Sequence, residues 1–300
     1  MKLYELINAG ITKLESCGVP DADIDADILW QYVSGMDRLD ILMAKGDEVN
    51  VNLESRYDEV IDRRCTRVPL QYITGTQNFM GYDFDTSENV LIPRQDTETL
   101  VETALKLTVG SQIAGQSLKP ASFDGQMAKQ PLSVLDMCCG SGCIGISYGL
   151  MNKDSRVTLA DISDAALELT CRNRDKLCGD KDRFSVVKSN LFDDIEGKFD
   201  LIMSNPPYIR TDVIDTLMPE VRDNEPRLAL DGTEDGLYFY RMIVDRARNY
   251  IKDEGYVVFE IGNDQAEDVQ HLFVDLGYED IHVVQDLSHN DRVVYGRYRT

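Results

Sequence analysis

Two consecutive prolines directly behind an apolar run fix more of this fold than any other feature of the chain. Phe199-Asp200-Leu201-Ile202-Met203 reads as a buried strand, and Ser204-Asn205-Pro206-Pro207-Tyr208 follows it at once. Each proline lacks a backbone N–H and has a fixed φ, so neither a helix nor another ladder bond can continue past Asn205. The strand must end there. The local carbonyls are left without neighbouring N–H groups to occupy them. The Asn205 side-chain oxygen and the Pro206 carbonyl form a ring of acceptors, with the flat face of Tyr208 beside them. Such a site suits a planar NH₂ group, whose two hydrogens need two acceptors. Asn-Pro also begins many plain turns, but a strand before it and a glycine-rich loop upstream favour a functional site.

The surrounding pattern alternates strand and helix from Ser133 onward, the mark of a parallel sheet covered on both faces. Strands are predicted at 133–138, 156–161, 184–188, 199–204, 255–261, 280–286 and 292–298, and a helix at 237–251. The last two strands have no helix between them and should form an antiparallel hairpin at the sheet. The irregular stretch from Asn224-Glu225-Pro226 to Gly236 is expected to wall the site.

The N-terminal third reads differently. Leu3, Leu6, Ile7, Ile11 and Leu14 make one helical stripe, closed by Gly18 and Pro20. A second helix carries Ile24, Ile28, Leu29, Tyr32 and Val33. Asp37 can cap a third around Leu39 to Ala44, and Asn52 a fourth with Leu53, Tyr57, Val60 and Ile61 inside. We therefore expect a helical domain over 1–68, either a docking module for a protein partner or substrate or a purely structural cap, a β-hairpin linker over 69–92, and an alternating strand-helix domain over 93–300. In that domain Asp96 or Thr97 should cap the helix that buries Leu100, Val101, Ala104 and Leu105. Residues 109–131, rich in Gly, Ser, Gln and Lys, read as an exposed loop.

A formal charge of −22, from 53 acidic and 31 basic side chains, would repel a phosphate backbone and argues against nucleic acid as the main partner. The helical block to residue 70 holds 14 acidic and 8 basic side chains, so it is not a basic arm. The N-terminus lacks a signal-peptide core and no window has membrane-spanning length, which points to the cytoplasm and to no membrane partner. Seven cysteines without framework spacing read as reduced thiols. Cys138, Cys139 and Cys143 lack a second CxxC or a histidine at ligand spacing, so no metal is expected and they read as small core residues.

Val134-Leu135-Asp136-Met137-Cys138-Cys139-Gly140-Ser141-Gly142-Cys143-Ile144-Gly145 is a strand, a glycine turn and a helix start. Its glycines admit close approach of a ligand to the backbone. Gly140, Gly142 and Gly145 satisfy a dinucleotide-type spacing, and Asp161 stands about 20 residues on, where a ribose-hydroxyl acceptor belongs. NAD and S-adenosylmethionine both carry that ribose. In a doubly wound sheet the glycine loop, Asp161, the segment Ser189-Asn190-Leu191-Phe192 and Asn205 converge on one crevice. An amide-trapping acceptor ring beside an adenosine site points to methyl transfer to nitrogen.

The segments Tyr72-Ile73-Thr74-Gly75, Leu91-Ile92-Pro93-Arg94, Thr97-Glu98, the glycine loop, Asp161, Asn205-Pro206-Pro207-Tyr208, Glu225-Pro226, Asp235-Gly236-Leu237, Tyr240-Arg241 and Glu260-Ile261-Gly262 resemble the peptide chain release factor N5-glutamine methyltransferases of the HemK/PrmC type. The resemblance covers nearly the whole chain. It implies a class I, Rossmann-like methyltransferase domain behind a helical bundle, acting on a glutamine side-chain amide nitrogen of a release factor. It further implies that Cys138, Cys139, Gly140, Ser141, Gly142, Asp161, Leu191 and Asn205 contact S-adenosylmethionine. By the same resemblance Asn205, Pro206, Pro207 and Tyr208 hold the glutamine, with Asn205, Pro206 and Tyr208 catalytic. Cys138 stands where the family usually has glycine, Cys139 where it has a hydroxyl residue, and Arg94-Gln95-Asp96 replaces Arg-Pro-Glu. Two other readings fit parts of the pattern: an adenine-N6 DNA methyltransferase, which shares Asn-Pro-Pro-Tyr, and a non-catalytic adenosyl-ligand or NAD-binding regulator.

Overall fold

Apolar residues at helical spacing build the N-terminal unit from α1 (Leu3–Ser16), α2 (Ala22–Ser34), α3 (Arg38–Met43), α4 (Val51–Cys65) and α5 (Leu70–Thr74). The coordinates are those of a computed structural model, which describes residues 1–109 and 130–299. Leu3, Leu6, Leu14, Ala26, Leu29, Trp30, Tyr57 and Ile61 form the unit's core. Trp30 and Tyr57 meet edge to face at 5.6 Å, and the Tyr57 hydroxyl donates to the Ala26 carbonyl. Three local expectations need correction. The buried face of α2 runs through Asp25, Ala26, Leu29, Trp30 and Val33, whereas Ile24 and Tyr32 point outward. Asn50, not Asn52, caps α4, its side chain accepting from the Asn52 N–H. Cys17 and Cys65 are joined as a disulfide, with Cα atoms 5.4 Å apart, while Cys138, Cys139, Cys143, Cys171 and Cys178 are free.

This unit comprises Met1–Thr76 and also Leu217–Asn224, a segment drawn from far along the chain. That segment carries α10 (Pro219–Arg222), and an ion network explains its place. Glu220 accepts from Arg67 Nε at 2.7 Å and Arg64 Nη2 at 3.0 Å, and Arg64 Nε also reaches Asp25 at 2.7 Å. Burial pushes Glu220 up, but the bonds from Arg67 and Arg64 outweigh it and hold the carboxyl below its ordinary range. The expected boundary at 68 and the β-prone reading of 69–75 meet a different local structure. Pro69 is the N-cap of α5, and Gly75, at φ 79°, ends it.

The second unit, Gln77–Thr216 with Glu225–Thr300, begins in the hairpin of β1 (Thr76–Phe79) and β2 (Tyr82–Asp85). A 3-10 turn, Gln95–Thr97, then leads straight into α6 (Glu98–Val109) without side-chain capping by Asp96 or Thr97. The four expected residues of α6, Leu100, Val101, Ala104 and Leu105, are buried. The segment 109–131 lies outside the described residues except at its ends.

Beyond it come β3 (Leu132–Met137), α7 (Cys143–Met151), β4 (Ser155–Asp161), α8 (Asp164–Leu177), β5 (Phe184–Lys188) and β6 (Phe199–Ser204). They are followed by α9 (Thr211–Ile214), α11 (Tyr238–Ala247), β7 (Ile251–Glu260), α12 (Ala266–Asp275), β8 (Glu279–Gln285) and β9 (Asp291–Arg297). Seven of these strands form one sheet in the order β5-β4-β3-β6-β7-β9-β8. The first five are parallel, and β9 pairs antiparallel with both β7 and β8. Alternate residues feed two cores, as strands buried on both faces require. Leu135, Met137, Ile202 and Phe259 pack on α11 and α12, while Val134, Leu201, Met203 and Val258 pack on α6 and α7. Register aligns Met137 with both Ala160 and Ser204, so the ends of β3, β4 and β6 open at one level.

Candidate active site

Ligands of open parallel sheets lie outside the carboxyl ends of the strands, and there a cavity of about 290 Å³ opens. Cys138 to Ser141 enter it from the turn after β3, Asp161 from the end of β4, Leu191 from the turn after β5, and Asn205 and Pro207 from the turn after β6. Three residues expected at the site stand apart from the cavity wall: Gly142, Pro206 and Tyr208.

Their places have local causes. Gly142 is the N-cap of α7 at φ 78°, a left-handed backbone that favours glycine, and a Cβ there would also crowd Ile146 Cδ1 at 2.9 Å and Thr170 Cγ2 at 3.1 Å. At Gly140, also left-handed at φ 56°, a Cβ would meet only Val90 at 3.8 Å, which leaves that backbone open to a ligand. Tyr208 turns its hydroxyl away from the cavity to Glu260 Oε1 at 3.4 Å, and its carbonyl accepts from Gln265 Nε2 at 3.1 Å. Gly232 and Gly236 close over its backbone, where a Cβ would lie 2.7 Å from the Tyr208 Cα and 2.4 Å from its carbonyl oxygen, respectively.

Cys138 sits at φ 60°. An L-residue there costs roughly 1–2 kcal/mol more than in a right-handed conformation, so this cysteine carries strain that glycine would not. Burial pushes its thiol up, as it does those of Cys139 and, to about 12, Cys143, so all three remain protonated at neutral pH. Cys138→Gly should raise Tm by about 2 °C, the balance of relieved strain over added unfolded-chain entropy. Thermal unfolding checks this; a lower Tm would mean that the thiol's contact with Ser204 outweighs the strain.

Asp161 is oriented by the backbone: Oδ2 accepts from the Gly140 N–H and Oδ1 from the Ser163 N–H, each at 2.9 Å. It ties the turn after β3 to that after β4 and retains lone pairs for a ligand's hydroxyls. Burial raises its pKa despite those bonds. Ser163, not Asp161, caps α8 through the Ala166 N–H. Val90, Ile162 and Ala166 provide an apolar wall beside it. Glycine backbone, a carboxylate at the strand end and an apolar wall suit the backbone, ribose and adenine contacts of S-adenosylmethionine.

Asn205 donates from Nδ2 to Thr97 Oγ1 at 3.5 Å. Thr97 lies in the Gln95–Thr97 turn and lines the cavity too. Arg94, half-exposed at the cavity wall, pairs with the buried Glu225 across 131 residues of sequence. The Ile-Pro-Arg and Glu-Pro segments therefore meet. Pro226, Leu228 and Ala229 line the cavity, as does α11 through Tyr238 and Phe239. The sequence reading missed Thr97, Tyr238, Phe239 and Glu260 as contributors; Tyr238-Phe239 beside the expected Tyr240-Arg241 segment was the available signal. Among the described residues, no group of His, Cys, Asp and Glu side chains comes together to hold a metal ion.

Comparisons with known proteins bear on the family and the fold. Residues 5–75 match the PrmC N-terminal domain, and 107–224 the methyltransferase small domain. A release factor glutamine methyltransferase of Clostridium botulinum is 37% identical over 99% of both chains. That of Agrobacterium fabrum is 37% identical over 97% of this chain and 95% of its own. Among solved structures, a methyltransferase from Pyrococcus furiosus shares the fold at TM-score 0.50, with 14% identity over 73% of this chain and 90% of that one.

Proposed function

This chain belongs to the release factor glutamine methyltransferase family, an S-adenosylmethionine-dependent protein-glutamine methyltransferase, and on that premise we propose how its residues act. The observation that carries the reading is the convergence of Gly140, Asp161 and Asn205 on one cavity at the ends of β3, β4 and β6. S-adenosylmethionine, when bound, supplies an electrophilic methyl group. Gly140 and Ser141 would give it backbone contacts, Asp161 would take the ribose hydroxyls, and Val90, Ile162 and Ala166 would flank the adenine.

With its NH₂ turned to Thr97, Asn205 has its side-chain oxygen left to accept from the substrate. The glutamine amide donates one hydrogen to that oxygen and would reach the Pro206 carbonyl with the other from outside the cofactor cavity, whose wall Pro206 does not join. An amide nitrogen is a poor nucleophile because its lone pair is delocalised. Holding both hydrogens favours the rotated, more pyramidal nitrogen, and fixing its direction removes orientation entropy. Tyr208, with its hydroxyl and its carbonyl both bonded within the protein, supports the turn that carries these acceptors. The charge of −22 argues against a nucleic-acid substrate. The protein partner is a release factor met in the cytoplasm, with no role for a membrane. Incubation of the enzyme with purified release factor and labelled cofactor tests the function directly.

The helical unit is assigned to docking of that substrate. Asp37 caps α3 and Ile41 anchors it, leaving Leu39, Leu42 and Met43 on its outer face at 62%, 58% and 70% exposure. Deleting 1–68 would also strip Arg64 and Arg67 from Glu220, so point changes make the cleaner test. Replacing Leu39, Leu42 and Met43 by serine should raise KM for whole release factor at least about 10-fold, the effect of burying just one of these side chains at about 1.5 kcal/mol. Cofactor affinity should not move, and an unchanged KM would remove this face from docking.

A further inference from the structure

Glu260 is the last residue of β7, buried to 2% exposure, and the function described so far gives it no task. Its Oε1 accepts from the Tyr208 hydroxyl at 3.4 Å, and its Oε2 is buried with no hydrogen-bond partner. The Thr97 hydroxyl makes no hydrogen bond to Glu260 here, but it is near enough to the same carboxyl to favour its ionised form. Thr97 Oγ1 is also the atom that receives the Asn205 NH₂. Glu260 thus meets the Tyr208 end of the Asn205–Tyr208 turn directly and stands near Thr97, which holds the Asn205 end. Gln265 completes the brace, donating to the Tyr208 carbonyl and accepting from the Gly262 N–H.

We propose that Glu260 is a positioning residue for methyl transfer: as a carboxylate it holds the Thr97 and Tyr208 hydroxyls as donors, so that Asn205 presents its oxygen to the substrate amide. The argument is one of hydrogen count. A threonine hydroxyl has one hydrogen to give. While Thr97 accepts from Asn205, that hydrogen is free for Glu260, and a carboxylate can only accept it. A protonated Glu260 would itself donate. The Thr97 hydrogen could then turn to Asn205, whose amide would flip and offer NH₂ to a substrate NH₂, a pair with no acceptor. The Tyr208–Glu260 and Asn205–Thr97 bonds are long here, at 3.4 and 3.5 Å, and the Thr97–Glu260 bond is not yet made, as is often so at apo sites before substrate tightens them. The inference rests on the proposed role of Asn205 as amide acceptor.

The groups around Glu260 come from several elements: Tyr208 after β6, Arg292 on β9, Asp96 in the turn before α6, Tyr240 on α11 and Cys143 on α7. Burial raises the Glu260 pKa to about 7, against the pull of Thr97, Arg292 and Tyr208. Tyr208, Tyr240 and Cys143 are raised as well and stay neutral around that pH. Turnover should therefore rise with pH through about 7 as Glu260 ionises.

The test measures single-turnover transfer at saturating cofactor from pH 6 to 8 for wild type, Glu260→Gln, Thr97→Val, Thr97→Ser and Asn205→Ala. Glu260→Gln should slow transfer at pH 8 roughly 10-fold or more, the scale of one hydrogen bond to a charged group. It should lose the acidic limb and leave cofactor Kd within about 2-fold. Thr97→Val should match it in both respects, and Thr97→Ser should restore rate and limb; these two carry the test if Glu260→Gln does not fold. A wild-type rate in Glu260→Gln beside a slow Asn205→Ala would overturn the role of Glu260 alone. A slow Glu260→Gln or Thr97→Val that keeps the acidic limb would also overturn it. A wild-type rate in Asn205→Ala would overturn both this role and the acceptor reading beneath it.

Discussion

Asn205→Ala is expected to slow methyl transfer at saturating cofactor roughly 100-fold or more, the scale of removing one preorganised partner from an oxyanion hole. The alanine leaves one amide hydrogen unpaired as the nitrogen loses its delocalised lone pair to the new bond. Part of the loss comes from the turn itself, because Thr97 Oγ1 loses its donor. Asn205 lines the cofactor cavity, so a modest rise in cofactor Kd should accompany the slower chemistry. Asn205→Asp separates the two effects. It keeps an acceptor and adds a negative charge near the cofactor's sulfonium, whose positive charge disappears on transfer. Ground-state binding is then preserved or raised while turnover is impaired. Rates and Kd values measured on both variants check this pattern.

The protein is expected to be more stable near pH 5.5 than near pH 8. Asp136, fully buried on β3, accepts at Oδ2 from the Gly145 N–H and has Oδ1 without a partner. Burial raises its pKa from 3.8 to about 8, and that of Glu260 from 4.5 to about 7. The sign follows from proton binding. Between the unfolded and folded pKa values the native state holds a proton that the unfolded chain has released, so stability falls as pH rises. The window runs from 3.8 to about 8 for Asp136 and from 4.5 to about 7 for Glu260. At about 1.4 kcal/mol per pH unit per group, the loss between pH 5.5 and 8 is on the order of 5 kcal/mol. Buried Asp161 and Glu225, also raised, act in the same direction. Carboxyls held low, such as Glu220 and Asp235, lose their stabilising ionised form only in stronger acid. Denaturant unfolding at several pH values checks the slope, which Asp136→Asn should flatten. A protein that gains stability from pH 5.5 to 8 would contradict the account. If Glu260 must be ionised to work, the enzyme gives up stability at its active pH to keep Asn205 oriented.

Much of this was readable in the sequence because the information was local. The strands of the main sheet are apolar runs bounded by turn residues, so β5 and β6 came out residue for residue and the others within a few positions. The double proline marked the end of β6, and the glycines after β3 marked the cofactor side. Residues whose meaning depends on a distant partner were harder to read. Asp25 is buried in α2 because Arg64, 39 residues away, pairs with it, and periodicity therefore assigned Ile24 and Tyr32 to the wrong face. Gly142 has the spacing of a ligand-binding glycine but serves the left-handed N-cap of α7, against Thr170 and Ile146. Tyr208 read as a ring face beside the acceptors, and its hydroxyl's bond to Glu260, 52 residues on, was not legible. Thr97 had a plausible local role as a cap, which hid its contact with Asn205 across 108 residues. Cys17 and Cys65 showed no framework spacing, because what brings them together is the packing of α1 on α4.

The most direct test of the central claim is to locate the transferred methyl. Wild-type enzyme and Asn205→Ala would each be incubated with labelled S-adenosylmethionine and purified release factor, and the product digested and read by mass spectrometry. The account predicts a single methyl on the side-chain nitrogen of one glutamine with the wild type, and almost none with Asn205→Ala although the variant still binds cofactor. A methyl on any other group, or full transfer by Asn205→Ala, would contradict it.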